Sequence, residues 1–223
     1  MDKEISGILH AIYQRLMDCY GPQHWWPSQQ PFEVMVGAIL TQATTWQNVE
    51  KAINRLKEAG VMSPELLRQL DLSEIGELIH SCGYYNAKAF KLRSLACWLG
   101  AYCHDNLDKL FTKDVDLLRE QLLAVHGIGP ETADSILLYA AEKPVFVIDA
   151  YTRRIIDRIG LKPERNRYNA YQSLFMDNLP PDTRLYNEYH ALLVCLRKTR
   201  CRSTSPLCQE CCLGDICQYS MNN

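Results

Sequence analysis

The stretch Val125-His126-Gly127-Ile128-Gly129-Pro130 constrains the fold more than any other, because it ends one apolar helix and opens another within a few residues. Leu122-Leu123-Ala124-Val125 runs into Gly127-Ile128-Gly129, whose two glycines permit a sharply turned backbone. Pro130 then suits the first turn of a helix, where its absent N–H costs nothing and its fixed φ is already helical. The pattern predicts a tight helical hairpin continuing into Glu131-Thr132-Ala133-Asp134. Gly127 and Gly129 would bring bare backbone N–H groups to a helix N-terminus, an arrangement that accepts an anion such as phosphate without reading any base. A turn of this kind also serves simply to pack two helices.

The remainder of the chain has helical spacing almost throughout. Ile5, Ile8, Leu9, Ile12 and Leu16 share one face of a helix that Gly21-Pro22 stops. Phe32 to Leu40 is strongly apolar. The polar run Thr41-Gln42-Ala43-Thr44-Thr45 then interrupts before Trp46, and Val49, Ile53 and Leu56 resume a stripe. Ser63-Pro64 is a helix start with Ser63 as N-cap. Cys82-Gly83-Tyr84-Tyr85-Asn86 turns into a helix carrying Lys88, Lys91 and Arg93, read as a solvated charged face or a phosphate contact. Beyond the hairpin, Val145 to Ile148 leads to Asp149, and a helix bearing Arg153, Arg154 and Arg158 closes at Gly160. Branched runs are too short for convincing strands, so an all-α protein is predicted.

Length and charge narrow the partners. A chain of 223 residues, 47% hydrophobic, can bury one large core or two small ones. The formal net charge of −2, from 24 basic and 26 acidic residues, argues against coating nucleic acid by bulk electrostatics and leaves a local patch as the means of contact. The polar N-terminus carries no signal-like apolar core and no apolar run reaches bilayer length, so a soluble cytoplasmic protein without membrane contact is expected.

Ten cysteines are many for a reducing compartment, where clustered thiols usually bind metal. Cys19, Cys82, Cys97 and Cys103 stand singly among apolar residues and are read as buried packing thiols. Cys201-x6-Cys208-x2-Cys211-x5-Cys217 instead places four thiols within 17 residues, a loop that could fold around a metal, with Cys195 and Cys212 extra. Iron–sulfur clusters take four thiolates. Structural zinc does too, though more often as two close pairs.

The hairpin, Asp149 one helix later and the cysteine spacing, in that order, resemble the helix-hairpin-helix DNA glycosylases of the endonuclease III superfamily, from Phe32 to Cys217. The cysteine spacing is identical to that family's [4Fe–4S] loop. The resemblance implies a two-lobed all-α fold. One lobe is a helical barrel, residues 29–143, with the hairpin at about 118–139. The other is a discontinuous lobe of residues 1–28 and 144–223, carrying the cluster loop at 201–217. It implies Asp149 as the catalytic carboxylate, facing the positive charge that develops on the sugar, although the same residue is also a natural N-cap. It further implies Gln42 as a wedge entering double-stranded DNA that carries a damaged base, and phosphate contacts from Gly127, Gly129 and Arg153. Without those motifs, Gln42 reads as an ordinary interhelical glutamine.

One departure from the family pattern is informative. Bifunctional members carry a lysine two residues after the second glycine as Schiff-base nucleophile; here that position is Glu131, and a carboxylate forms no imine. A monofunctional, hydrolytic enzyme is therefore expected, acting as a monomer. Trp25-Trp26-Pro27, Thr44-Thr45-Trp46 and Pro130 to Asp134 are similar to the 3-methyladenine branch. They imply a pocket of Trp25, Trp26, Trp46 and Glu131, with Lys198 as its lysine. That branch's familiar members lack the cluster cysteines, so the chain combines two groups. A glycosylase for mismatched uracil or thymine and a non-catalytic DNA-binding or redox iron–sulfur protein remain as alternatives.

Overall fold

A computed structural model describes residues 3–25 and 30–222 of the chain. The described residues form helices and turns with no strand, as the helical spacing predicts. They divide into two compact units, Ser28–Lys143 and the discontinuous pair Met1–Pro27 with Pro144–Asn223.

The contiguous unit is built around α2 (Pro31–Leu40), in which Phe32 through Leu40 are all buried. A helix apolar on every side belongs at the centre of a core, and its one charge, Glu33, is matched by Lys57 Nζ at 2.7 Å. α3 (Trp46–Glu58) buries only Val49, Ala52, Ile53 and Leu56, one face at helical spacing. α4 (Pro64–Gln69) starts at Ser63, whose hydroxyl oxygen accepts the Leu66 N–H at 3.3 Å. α5 (Leu72–Leu78) and α6 (Tyr85–Cys103) follow, with α4 and α5 both packed on α6. α7 (Leu107–Phe111) and α8 (Val115–Leu123) lead into the hairpin, and α9 (Pro130–Ser135) passes into a π-helical turn, Ile136–Ala140, that packs on α2.

Two expectations fail here. Lys88 is on no solvated face: it is 2% exposed, and its Nζ donates to the carbonyls of Leu40 at 3.0 Å and Cys82 at 2.8 Å. The ammonium ties off the C-terminal end of α2, where unpaired carbonyls need donors. Of the four single cysteines, Cys82 and Cys103 are buried but Cys19 and Cys97 are exposed. Each of the latter falls on the solvent side of its helix, which apolar neighbours in sequence do not reveal.

The discontinuous unit contains α1 (Lys3–Tyr20), α10 (Ala150–Ile159), α11 (Tyr168–Met176), α12 (Thr183–Thr199) and the short α13 (Gln218–Met221). α12 packs against both α1 and α10. Leu9, Ile12 and Leu16 of α1 are fully buried, and Tyr189 of α12 donates its hydroxyl to the Leu9 carbonyl at 2.9 Å. Phe146 and Phe175 stack at 3.9 Å, with Tyr186 and Tyr189 edge-on to Phe146. No helix among the described residues is long and apolar enough to cross a membrane.

Candidate active site

The hairpin is held from inside its own unit. Gly127 has φ of +84°, and a Cβ there would lie 2.2 Å from Cγ of Lys91, so both conformation and space demand glycine. Gly129 differs: its backbone is extended at φ −92° as N-cap of α9, and a Cβ would meet nothing within 4 Å. The expectation that both glycines make the turn holds only for Gly127, while Gly129 leaves the approach to the helix N-terminus open. Gln42 Nε2 donates to the Gly127 carbonyl at 3.2 Å and to Thr132 Oγ1 at 2.9 Å, and its Oε1 accepts from Lys91 Nζ at 2.5 Å. Gln42 thus satisfies the turn, the ordinary interhelical role. On the far side of the hairpin, Arg119 of α8 grips the fully buried Asp134 of α9 through Nε at 2.6 Å and Nη2 at 3.1 Å. Glu131 stands exposed in the first turn of α9.

Asp149 is the N-cap of α10: its Oδ1 accepts the Thr152 N–H at 2.6 Å, which satisfies one of the helix's orphan donors. Its Oδ2 lies 3.6 Å from Nε2 of His190 on α12, beyond hydrogen-bond length. Burial by itself would raise this carboxyl, at 8% exposure. The imidazole of His190 and the Thr152 N–H outweigh burial and hold Asp149 below the usual carboxylate value. The side chain is therefore a fixed, desolvated anion at neutral pH. His190 was not legible in the sequence, since 41 positions separate it from Asp149 and only the packing of α10 on α12 joins them. The available signal was a histidine inside the apolar run of α12.

Trp25 and Lys198 lie together, with Lys198 Nζ 5.4 Å from the Trp25 ring centroid. One residue earlier on α12, Arg197 lies 3.9 Å from the Tyr151 ring centroid and donates to its hydroxyl at 2.9 Å. Trp46 begins α3 in the contiguous unit, and Trp26 lies outside the described residues. Arg153 stacks over Tyr168 and Tyr171 and, with Arg154 and Arg158, lines a cleft of about 620 Å³ between α10 and the C-terminal segment.

Cys201, Cys208, Cys211 and Cys217 are half-buried in the loop between α12 and α13. Arg158 Nη1 donates to Cys201 Sγ and Cys217 Sγ donates to the Arg158 carbonyl, both at 3.3 Å, so α10 grips the loop at both ends. Burial raises the Cys208 thiol, and the Cys217, Cys211 and Cys201 thiols around it raise it further. Cys212 hydrogen-bonds to Cys211, which holds the Cys211 thiol down at about 6 and pushes Cys212 up. A Cβ on Gly214 would come within 3.1 Å of the Cys208 carbonyl and 3.2 Å of the Cys211 carbonyl, so the loop closes tightly there. Among the described residues, no group of three or more His, Cys, Asp or Glu side chains stands in ready-made metal-ligand geometry. The donor set, four neighbouring thiols with no carboxylate among them, nonetheless fits a soft, thiolate-bound centre rather than a hard cation.

Residues 36–181 match the family described as "HhH-GPD superfamily base excision DNA repair protein". The chain belongs to that superfamily. Among its relatives is MJ1434 of Methanocaldococcus jannaschii, a DNA repair glycosylase by name, 42% identical over 94% of this chain and 96% of that one. Endonuclease III of Sulfolobus acidocaldarius is 31% identical over 86% of this chain and 83% of its own length. Among solved structures, the Helicobacter pylori 3-methyladenine DNA glycosylase MagIII, bound to 1,N6-ethenoadenine, superposes with a TM-score of 0.73 at 27% identity, covering 87% of this chain and 97% of that one. The protein is thus a DNA glycosylase of the HhH-GPD base excision repair family, a hydrolase of N-glycosyl compounds, with the endonuclease III fold.

Proposed function

We propose that this HhH-GPD glycosylase is monofunctional: it hydrolyses the N-glycosidic bond of an alkylated purine, 3-methyladenine first, in double-stranded DNA and leaves an abasic site. The observation that carries the reading is Asp149, a buried carboxylate fixed by Thr152 and kept ionised. As the bond to the base breaks, its electron pair leaves with the base and the sugar gains oxocarbenium character, which a fixed anion stabilises. The Asp149 carboxylate then orients a water whose oxygen bonds to C1′ and whose proton passes to the carboxylate and on to solvent. An alkylated purine is already a good leaving group, so no strong general acid is required. Trp25 offers an aromatic face on which a base extruded from the duplex can stack. With Glu131 in place of the lyase lysine, this position offers no amine to attack C1′. In the contiguous unit, the exposed start of α9 at Gly129 supports a phosphate contact, with Gln42 holding the turn at Gly127 in shape; in the other unit, Arg153 offers a charge of its own to the duplex.

Cys201, Cys208, Cys211 and Cys217 would hold a [4Fe–4S] cluster, Cys211 being favoured over Cys212 by the spacing that resembles the family's cluster loop. When bound, such a cluster supplies a four-thiolate centre that cross-links the loop. Around it, Arg158 and Arg154 brace the loop backbone from α10, through the Arg202 carbonyl at 2.7 Å and the Cys201 carbonyl at 2.9 Å.

The test is release of free base from methylated duplex DNA, resolved by chromatography, with Asp149→Asn as control. Release of 3-methyladenine that disappears in the control supports the reading; its absence with the native protein rejects it. One observation favours a second reading. Lys198 places an ammonium at the face of Trp25, where it would repel a cationic base and donate to a carbonyl. A neutral uracil or thymine in a mismatch carries such carbonyls, and the same assay on those duplexes separates the two.

A further inference from the structure

We infer that His190 is a positioning residue for the Asp149 carboxylate. The inference rests on the reading of Asp149 as the anion that faces the sugar. Asp149 has two oxygens with different duties: Oδ1 is taken by the Thr152 N–H at 2.6 Å, a contact made by the cap of its own helix. Oδ2 is free of that cap and lies 3.6 Å from Nε2 of His190. Both side chains are nearly inaccessible, 11% exposed for Asp149 and 8% for His190, so no bulk water screens the approach. His190 comes from α12, whose neighbouring Tyr186, Tyr189 and Leu193 are fully buried and fix the helix in the core. α12 therefore delivers a rigid ring to within 3.6 Å of the oxygen that the backbone cap does not use. A cap alone fixes one oxygen and lets the carboxylate rock about that bond. A second polar group held 3.6 Å from Oδ2, beyond hydrogen-bond length but close enough to attract it, biases the plane of the group and the direction in which its charge points, which is what stabilising a cation at one sugar carbon requires. His190 touches neither base nor sugar in this scheme and exchanges no proton.

A pair of duplexes that needs no knowledge of the damaged base tests this. One carries a pyrrolidine abasic analogue, whose ring cation mimics the oxocarbenium sugar, and the other the neutral tetrahydrofuran analogue. The ratio of their dissociation constants measures how the site responds to the ring's positive charge, and its change in Asp149→Asn reports the carboxylate's share. The native protein should prefer the cationic duplex, and Asp149→Asn should erase that preference. His190→Ala should cut it by roughly tenfold, the scale of one contact to a charged group, with affinity for the neutral duplex unchanged. His190→Gln, which returns an N–H donor near the Nε2 position, should restore most of it. If Asp149→Asn erases the preference and His190→Ala leaves it intact, the inference about His190 is wrong while Asp149 stands. Equal loss on both duplexes with a lowered thermal midpoint, unrepaired by His190→Gln, makes His190 a packing residue and also overturns it. Retention of the preference in Asp149→Asn removes the reading of Asp149 and the inference together.

Discussion

On the proposed mechanism, Asp149 would hold a structural and a chemical duty at once. The N-cap bond to Thr152 uses a single oxygen, so capping α10 fixes the carboxylate without consuming it. Its folded pKa lies below the unfolded one, so its contribution to stability is complete above the ordinary carboxylate value and is lost as pH falls through the lower folded value. The ionised fraction follows the same course. Base release should therefore show no acid limb from Asp149 at mildly acidic pH, and a pH–rate profile of the native protein checks it. Asp149→Asn should slow release by roughly 10²–10⁴-fold under single-turnover conditions. Lys88 illustrates the opposite case, a charge whose work is entirely structural. Lys88→Met should cost about 2–4 kcal/mol in urea unfolding, because two buried carbonyls lose their donor.

At the scale of elements, the hairpin is determined by steric and electrostatic demands that fall on different residues. Gly127→Ala forces a side chain into a left-handed backbone and against Lys91, and should destabilise the protein by roughly 1–3 kcal/mol. Gly129→Ala, extended and uncrowded, should stay within about 0.5 kcal/mol of the native stability. On the phosphate reading of the turn, it should weaken duplex affinity all the same, since its methyl stands where the backbone N–H groups are approached. Chemical unfolding and fluorescence anisotropy, run on both variants, separate the two effects. Arg119→Ala would remove both guanidinium contacts from the buried Asp134 between α8 and α9, and should destabilise the protein by roughly 1–3 kcal/mol in the same unfolding assay.

At the scale of the whole molecule, the chain leaves its first unit after α1 and returns to it at Pro144, so the loop of four cysteines belongs to the same unit as the N-terminal helix. Protein purified without oxygen should contain iron and acid-labile sulfide in equal amounts, and Cys208→Ser should lower both. Zinc in place of iron would reject the cluster. Borohydride added during reaction with a duplex from which the native protein releases a base should trap no covalent adduct, as Glu131 provides no amine; a trapped adduct would restore a lyase assignment.

The sequence by itself determined the helical class, the hairpin, the cap at Asp149 and the family, because each of these is written in local spacing: glycine and proline punctuation, apolar stripes, four thiols at fixed intervals. It misjudged Lys88, Cys19 and Cys97, since which side of a helix faces solvent depends on neighbours distant in the chain. Tertiary structure alone decided that Gln42 ties the hairpin to Lys91, that Arg119 grips Asp134 and that His190 meets Asp149. Those pairings arise from helices packed across 15 to 49 residues of intervening chain, where burial strengthens a charge and selects its partner, and no local pattern encodes them.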